Sequence, residues 1–99
     1  MTAPVGFSAR AEADLEDIGD HIAQDNPRRA ASFVRELRHR CERMAEQPRA
    51  NRAREEFGPG VRAAVHGAYL ILYTHHGDGS VVIERVVHGA RDPGRLVED

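Results

Sequence analysis

The chain has 99 residues, a net charge of −2, 30 % charged side chains and a mean hydropathy of −0.56. That length makes one domain, residues 1–99, with a single core between two packed layers. No apolar run approaches the ~20 residues of a membrane span, and the N-terminus lacks the basic start and continuous apolar segment of a signal peptide, so a cytoplasmic protein without membrane contact is expected.

The single cysteine, Cys41, excludes an internal disulfide and fits a reducing compartment. The slight negative charge gives no global attraction to nucleic acid, so direct nucleic-acid binding by the chain alone is not expected. All fourteen basic residues are arginine. A GC-rich genome produces that bias without any function; selection for guanidinium chemistry is the alternative.

Residues Ala3 to Phe7 are short and mildly apolar and predict a first strand. Ser8 is a good N-cap, and Ala11, Leu15, Ile18 and Ile22 follow at spacings of four, three and four, one face of a helix. Glu12, Asp14, Glu16, Asp17 and Asp20 surround that stripe as a solvated acidic face suited to the helix dipole. Asn26-Pro27 ends this helix and starts a second one, because proline disfavours α geometry in the residue before it and sits well at a first helical position. The second helix is predicted from Pro27 to about Gln47, with Ala30, Phe33, Val34, Leu37, Cys41, Met44 and Ala45 on one stripe. The short break makes the two helices an antiparallel hairpin. His39 lies two positions from Cys41 and so on a different face, which argues against a Cys–His catalytic pair.

The outer face of the second helix carries Arg28, Arg29, Arg35, Arg38, Arg40 and Arg43 among Glu36, Glu42 and Glu46, and Arg49, Arg52 and Arg54 continue the basic character. This is either a solvated mixed-charge face or a landing site for an acidic partner segment or for phosphates.

After the turn Gly58-Pro59-Gly60 the pattern becomes extended. Val61, Ala63 and Val65 alternate with Arg62, Ala64 and His66, the pattern of a strand with one covered face. Gly67-Ala68 is a tight connection to Tyr69–His75, which is apolar on both faces and therefore central. A polar, glycine-rich hairpin loop, residues 76–80, leads into Val81–Val87, an interior strand rich in β-branched residues that stops at His88-Gly89. Leu96 and Val97, beyond Asp92-Pro93, are expected to dock as one helical turn. The expected fold is α+β in two layers: an N-terminal strand and an antiparallel helical hairpin packed on a C-terminal three-stranded antiparallel meander.

No G-x-S-x-G, P-loop, dinucleotide glycine pattern or H-E-x-x-H is present. No cofactor or metal is expected, although His66, His75 and His88 make a zinc site conceivable on sheet geometry alone. Arg62, Arg85, His88 and Arg91 supply some of the groups that metal-independent RNA cleavage would need.

The ordered set Phe7-Ser8-x-x-Ala11-x-x-Asp14-Leu15-x-x-Ile18, Ile22-Ala23-x-x-Asn26-Pro27, Ala30-Ala31-x-Phe33, Leu37 and Arg85-Val86-Val87-His88-Gly89-Ala90-Arg91-Asp92 resembles a ParE toxin of the RelE/ParE toxin–antitoxin superfamily. The resemblance spans nearly the whole chain and implies the same fold. RelE-like members cut mRNA in the ribosome with basic residues on the second, third and fourth strands and a C-terminal tyrosine. Arg62 and Arg91 fall where basic residues of that set sit, but Leu70 and Val97 stand at the third-strand arginine and tyrosine positions. Neither donates a hydrogen bond or transfers a proton. ParE-like members lack the set and poison DNA gyrase, which implies an inhibitor with no catalytic residues, its target contacts expected at Arg62, Arg85, His88 and Arg91. The resemblance also implies a cognate ParD-like antitoxin in a higher-order hetero-oligomer, expected to contact Arg35, Arg38, Leu70 and Leu72. A ribosome-dependent endoribonuclease and a non-toxic antitoxin-binding remnant are the alternatives.

Overall fold

The computed structural model describes residues 5–89. Strand β1 (Val5–Phe7) is followed by helices α1 (Ala9–Ala23) and α2 (Pro27–Ala45). Two single-turn 3-10 helices, Pro48–Ala50 and Glu55–Phe57, precede strands β2 (Arg62–His66), β3 (Tyr69–His75) and β4 (Val81–His88). The helix starts are set by the residues that the sequence singles out. Ser8 Oγ accepts from Ala11 N at 3.0 Å, and Asn26 Oδ1 accepts from Arg29 N at 3.1 Å with Pro27 at the first helical position.

The sheet order is β1-β4-β3-β2, with β1 parallel to β4 and the other pairs antiparallel. The expected meander is present, and β1 joins its far edge, which makes β4 an interior strand along residues 81–83. The helical hairpin covers one face. Leu15, Ile18, Leu37, Cys41 and Met44 pack on Ala64, Ile71, Tyr73, Val81, Ile83 and Val86. Burial of each large aliphatic side chain in that set contributes roughly 1.5–3 kcal/mol.

The opposite face has its own smaller cover. Phe57 and Val61 lie over Leu72, with Ala63 and Leu70 beside them. The segment after α2 reaches this position by a tight reversal in which Gly58 and Gly60 take φ of 132° and 73°, values that side chains with a Cβ rarely adopt. Arg54 N donates to Val61 O at 2.6 Å and closes the reversal.

Three expectations are corrected. Val61, Ala63 and Val65 do not face the helices: Ala64 is fully buried there, whereas Val61 and Ala63 pack in the smaller cluster on the opposite face and Val65 is 62 % exposed. The register explains it, since Ala64 stands opposite Ile71, whose side belongs to the hairpin, and the small alanine side chain takes little space beneath α2. Leu70 and Leu72 lie on the face away from the hairpin, so they do not share a surface with the α2 arginines. Finally, α2 ends at Ala45, two residues before Gln47. Residues 3–4 of the expected first strand, the tail with Leu96 and Val97, and Arg91 lie outside the described residues.

Candidate functional site

Strand β4 is the element that positions the site. Its pairing with β3 shifts register between Leu72 and Tyr73: Leu72 stands opposite Arg85 and Tyr73 opposite Ile83, leaving Glu84 as an extra residue. Such a bulge re-aims the residues after it. β1 ends after pairing with Ile83, so the outer edge of β4 beyond that point needs other partners. The start of α1 provides them. Ser8 N donates to Ile83 O at 2.9 Å, Ser8 Oγ donates to Glu84 O at 2.8 Å, and Asp14 Oδ2 accepts from Val86 N at 2.9 Å.

Asp14 also receives Arg85. Nε donates to Oδ2 at 2.8 Å and the terminal nitrogen to Oδ1 at 3.0 Å, a two-bond fork with both side chains only 13 % exposed. One carboxylate therefore clamps α1 to the end of β4. Its position was readable as part of an acidic face, but its role was not, because nothing in the linear pattern announces a strand edge left bare by a three-residue neighbour.

Next to this clamp lies a cleft of about 240 Å³ lined by Asp14, Asp17, Ile18, His21, Tyr69, Arg85, Val86, Val87 and His88. Tyr69 stands opposite His88 in the sheet, and their rings meet edge to face at 5.3 Å. Phe33 of α2 continues the row, 5.6 Å from Tyr69 and 5.8 Å from His66. His21 and Tyr69 were not singled out from the sequence; only the register brings them to His88.

The four expected target-binding residues do not form one cluster. Arg85 and His88 line the cleft. Arg62 stands opposite Tyr73, four residues along β3 from the partner of His88, or roughly 14 Å away along the strand. Its guanidinium donates to Asn51 O at 2.5 Å and holds the segment after α2. Tyr73, fully buried, donates from its hydroxyl to Pro48 O at 2.6 Å. Burial raises the Tyr73 hydroxyl above its ordinary 10.0, a shift opposed by a hydrogen bond with Asn51 and by the charges of Arg62 and Arg40. His75, opposite Val81, is at the other end of the sheet from His66 and His88.

The expected antitoxin-binding residues also separate. Arg38 pairs with Glu12 of α1 at 2.8 Å and sits over the Phe7 ring at 5.1 Å, so it serves the α1–β1 side of α2. Arg35 lines a groove of about 440 Å³ with Ser32, Glu36, His39, Arg40, Arg43 and His66. Leu72 is 1 % exposed beneath Phe57 and Val61, and Leu70 is half-buried beside it. Among the described residues, no helix is long and apolar enough to cross a membrane, and no group of three or more His, Cys, Asp or Glu side chains is arranged to hold a metal ion.

Two helices packed on a mixed four-stranded sheet in this order define an α+β fold of the RelE/ParE type. A chain from a chromosomal ParDE system of P. aeruginosa superposes with a TM-score of 0.74 at 20 % identity, over 88 % of this chain and 96 % of that one. A chain of the RelBE2 toxin–antitoxin complex of Mycobacterium tuberculosis superposes with a TM-score of 0.63 at 26 % identity, over 92 % and 95 %. In sequence, residues 5–93 match the family of ParE toxins of the type II toxin-antitoxin system parDE. Toxin ParE1 of Mycobacterium tuberculosis H37Rv is 35 % identical over 96 residues, which is 96 % of this chain and 98 % of that protein. Toxin ParE1 of Caulobacter vibrioides CB 15 is 34 % identical over 71 residues, 71 % of this chain and 74 % of that protein. The chain belongs to the ParE toxin family of type II toxin–antitoxin systems, within the RelE/ParE superfamily.

Proposed function

We propose that this toxin arrests growth by poisoning DNA gyrase, holding the enzyme on cleaved DNA, and that it acts by binding and not by catalysis. The observation that carries this reading is the commitment of the arginines a ribonuclease would use. Arg62 is hydrogen-bonded to the Asn51 carbonyl and Arg85 to the Asp14 carboxylate, so each already has an internal partner. Leu70, at the position where the resemblance to RelE-like members calls for a basic residue, is half-buried on the face away from the helices.

A cognate ParD-like antitoxin, in a hetero-oligomer in the cytoplasm, neutralises the toxin. The relatives that carry the ParDE and RelBE2 titles support this partner. Its C-terminal segment folds on binding and reaches the exposed Arg35 and the face with Leu70 and Val65; Leu72 supports that face from beneath.

One observation favours ribonuclease as a second reading: His21, Tyr69 and His88 line a single cleft and are acid–base residue types. Asp14 and Asp17 line the same cleft and oppose a phosphate there. Induction in bacterial cells separates the two. The gyrase reading expects plasmid supercoiling to change and double-strand breaks to appear before protein synthesis falls, with rescue by the antitoxin. Early mRNA cleavage with intact DNA contradicts it.

A further inference from the structure

We propose that the shallow groove between the exposed side of α2 and His66 on edge strand β2 is a docking surface for the phosphate backbone of duplex DNA. On α2, Arg29 and Arg38 are engaged by Glu36 and Glu12, whereas Arg35, Arg40 and Arg43 are not, and the local charge of the helix differs from that of the whole chain. Helix α2, residues 27–45, holds six arginines against two glutamates, within a chain of net charge −2. A local field of this kind governs contacts within a Debye length, about 10 Å at 0.1 M salt.

Within the groove, Arg35, Arg40 and Arg43 stand with His39 and His66. The one carboxylate among the lining residues, Glu36, is held by Arg29 at 2.6 Å, and that hydrogen bond keeps its carboxyl below the usual 4.5. Among the described residues, Arg35, Arg40 and Arg43 take part in no ion pair, while Arg29, Arg38, Arg54 and Arg85 each do. Three guanidinium groups are therefore available to an external anion.

The spacing suits a repeating anion. Arg35, His39 and Arg43 follow one another at four-residue intervals, about 6 Å of helix rise each. A DNA strand presents one phosphate per ~3.4 Å of axis, so a strand crossing α2 obliquely meets one donor for every one or two phosphates.

The chemistry selects among polyanions. The groove's apolar surface comes from arginine stems and imidazole rings, with no aliphatic residue and no Phe, Tyr or Trp among its lining residues to serve as an inserted anchor. An acidic peptide that folds on binding needs apolar anchors, and single-stranded nucleic acid is gripped by stacking on aromatic rings. A duplex backbone needs neither; it needs guanidinium donors, which pair with phosphate through two parallel bonds. The inference goes beyond the gyrase reading and can fail separately from it, because DNA binding is measured with no gyrase present. Arg35 also belongs to the expected antitoxin surface, so the antitoxin and DNA exclude each other at that residue.

The test is fluorescence anisotropy of a labelled 20-base-pair duplex titrated with the full chain freed from its antitoxin. Three neutralised phosphates give a salt slope of about −2.7, a loss of roughly 40-fold in affinity between 50 and 200 mM salt. R35A/R40A/R43A is expected to lose binding at 50 mM salt with an unchanged urea midpoint, and R35K/R40K/R43K to keep it within a few-fold. If the triple alanine variant folds poorly, R43E alone carries the same expectation at about a 10-fold loss. Absence of duplex binding at 50 mM salt, equal binding by the alanine variants, or preferential displacement of the duplex by a polyglutamate peptide overturns the proposal.

Discussion

Substitution of Asp14 by alanine removes three hydrogen bonds at once, two from Arg85 and one from the backbone of Val86. Removing one partner of a well-buried ion pair costs roughly 3–5 kcal/mol, because the remaining charge stays desolvated. Arg85 and Asp14 are each 13 % exposed, and Arg85 has a further interaction, so the lower end applies. The orphaned Val86 N–H adds on the order of 1 kcal/mol. A loss of about 3–4 kcal/mol is a large fraction of the ~5–15 kcal/mol that holds a domain folded. In urea melts with a slope near ~1.5 kcal/mol/M, the midpoint falls by about 2–3 M. The double variant D14A/R85M removes the stranded charge along with its partner, and is expected to recover most of the loss apart from the Val86 term. A midpoint shift below about 0.5 M for D14A, or a double variant no more stable than D14A, refutes the claim that this carboxylate clamps α1 to β4.

Three further outcomes are expected. Ser8→Ala loses both the α1 cap and the bond to Glu84 O, and is expected to cost about 1–2 kcal/mol in the same urea melt, more than a cap alone in a peptide helix. Burial pushes the Cys41 thiol from 9.0 up to about 11, so the folded state keeps a proton that the unfolded chain gives up; its contribution is intact below pH 9 and is lost as pH rises from 9 to about 11. Cys41→Ala should therefore be destabilised by alkali less than the parent over that window, by up to ~3 kcal/mol, and parallel pH profiles would contradict the assignment. Charge reversal at Arg91 is expected to weaken growth arrest more than folding, read from induced cultures alongside thermal melts of the purified variant; full arrest with that variant counts against a target contact there.

The helical hairpin was legible because its signals are local. Ser8 and Asn26-Pro27 set the helix starts, and the apolar stripes repeat at helical spacing. The order of the last three strands was legible from the tight connections at Gly67-Ala68 and residues 76–80. Which face of β2 is covered was not. Ala64 looks no more apolar than Ala63, and only its pairing opposite Ile71 puts it under the helices. The cover on the back of the sheet was missed because Phe57 is a lone aromatic in a polar segment; its partner Leu72 is distant in sequence. The site suffered for the same reason. Asp14 reads as one of five acidic residues on a solvated face until a short β1 and a bulge at Glu84 leave Val86 N–H facing it. Arginine at 62 and 85 suggested target contacts by residue type, and type does not reveal that each has an internal partner.

The central claim is that this ParE-family toxin acts on gyrase by binding. The most direct test combines purified gyrase, supercoiled plasmid and the toxin freed from its antitoxin, with linear and relaxed DNA resolved on gels. Accumulation of linear DNA that requires gyrase and disappears when antitoxin is added is the predicted result. Unchanged supercoiling and no cleavage at excess folded toxin contradict it for the gyrase tested.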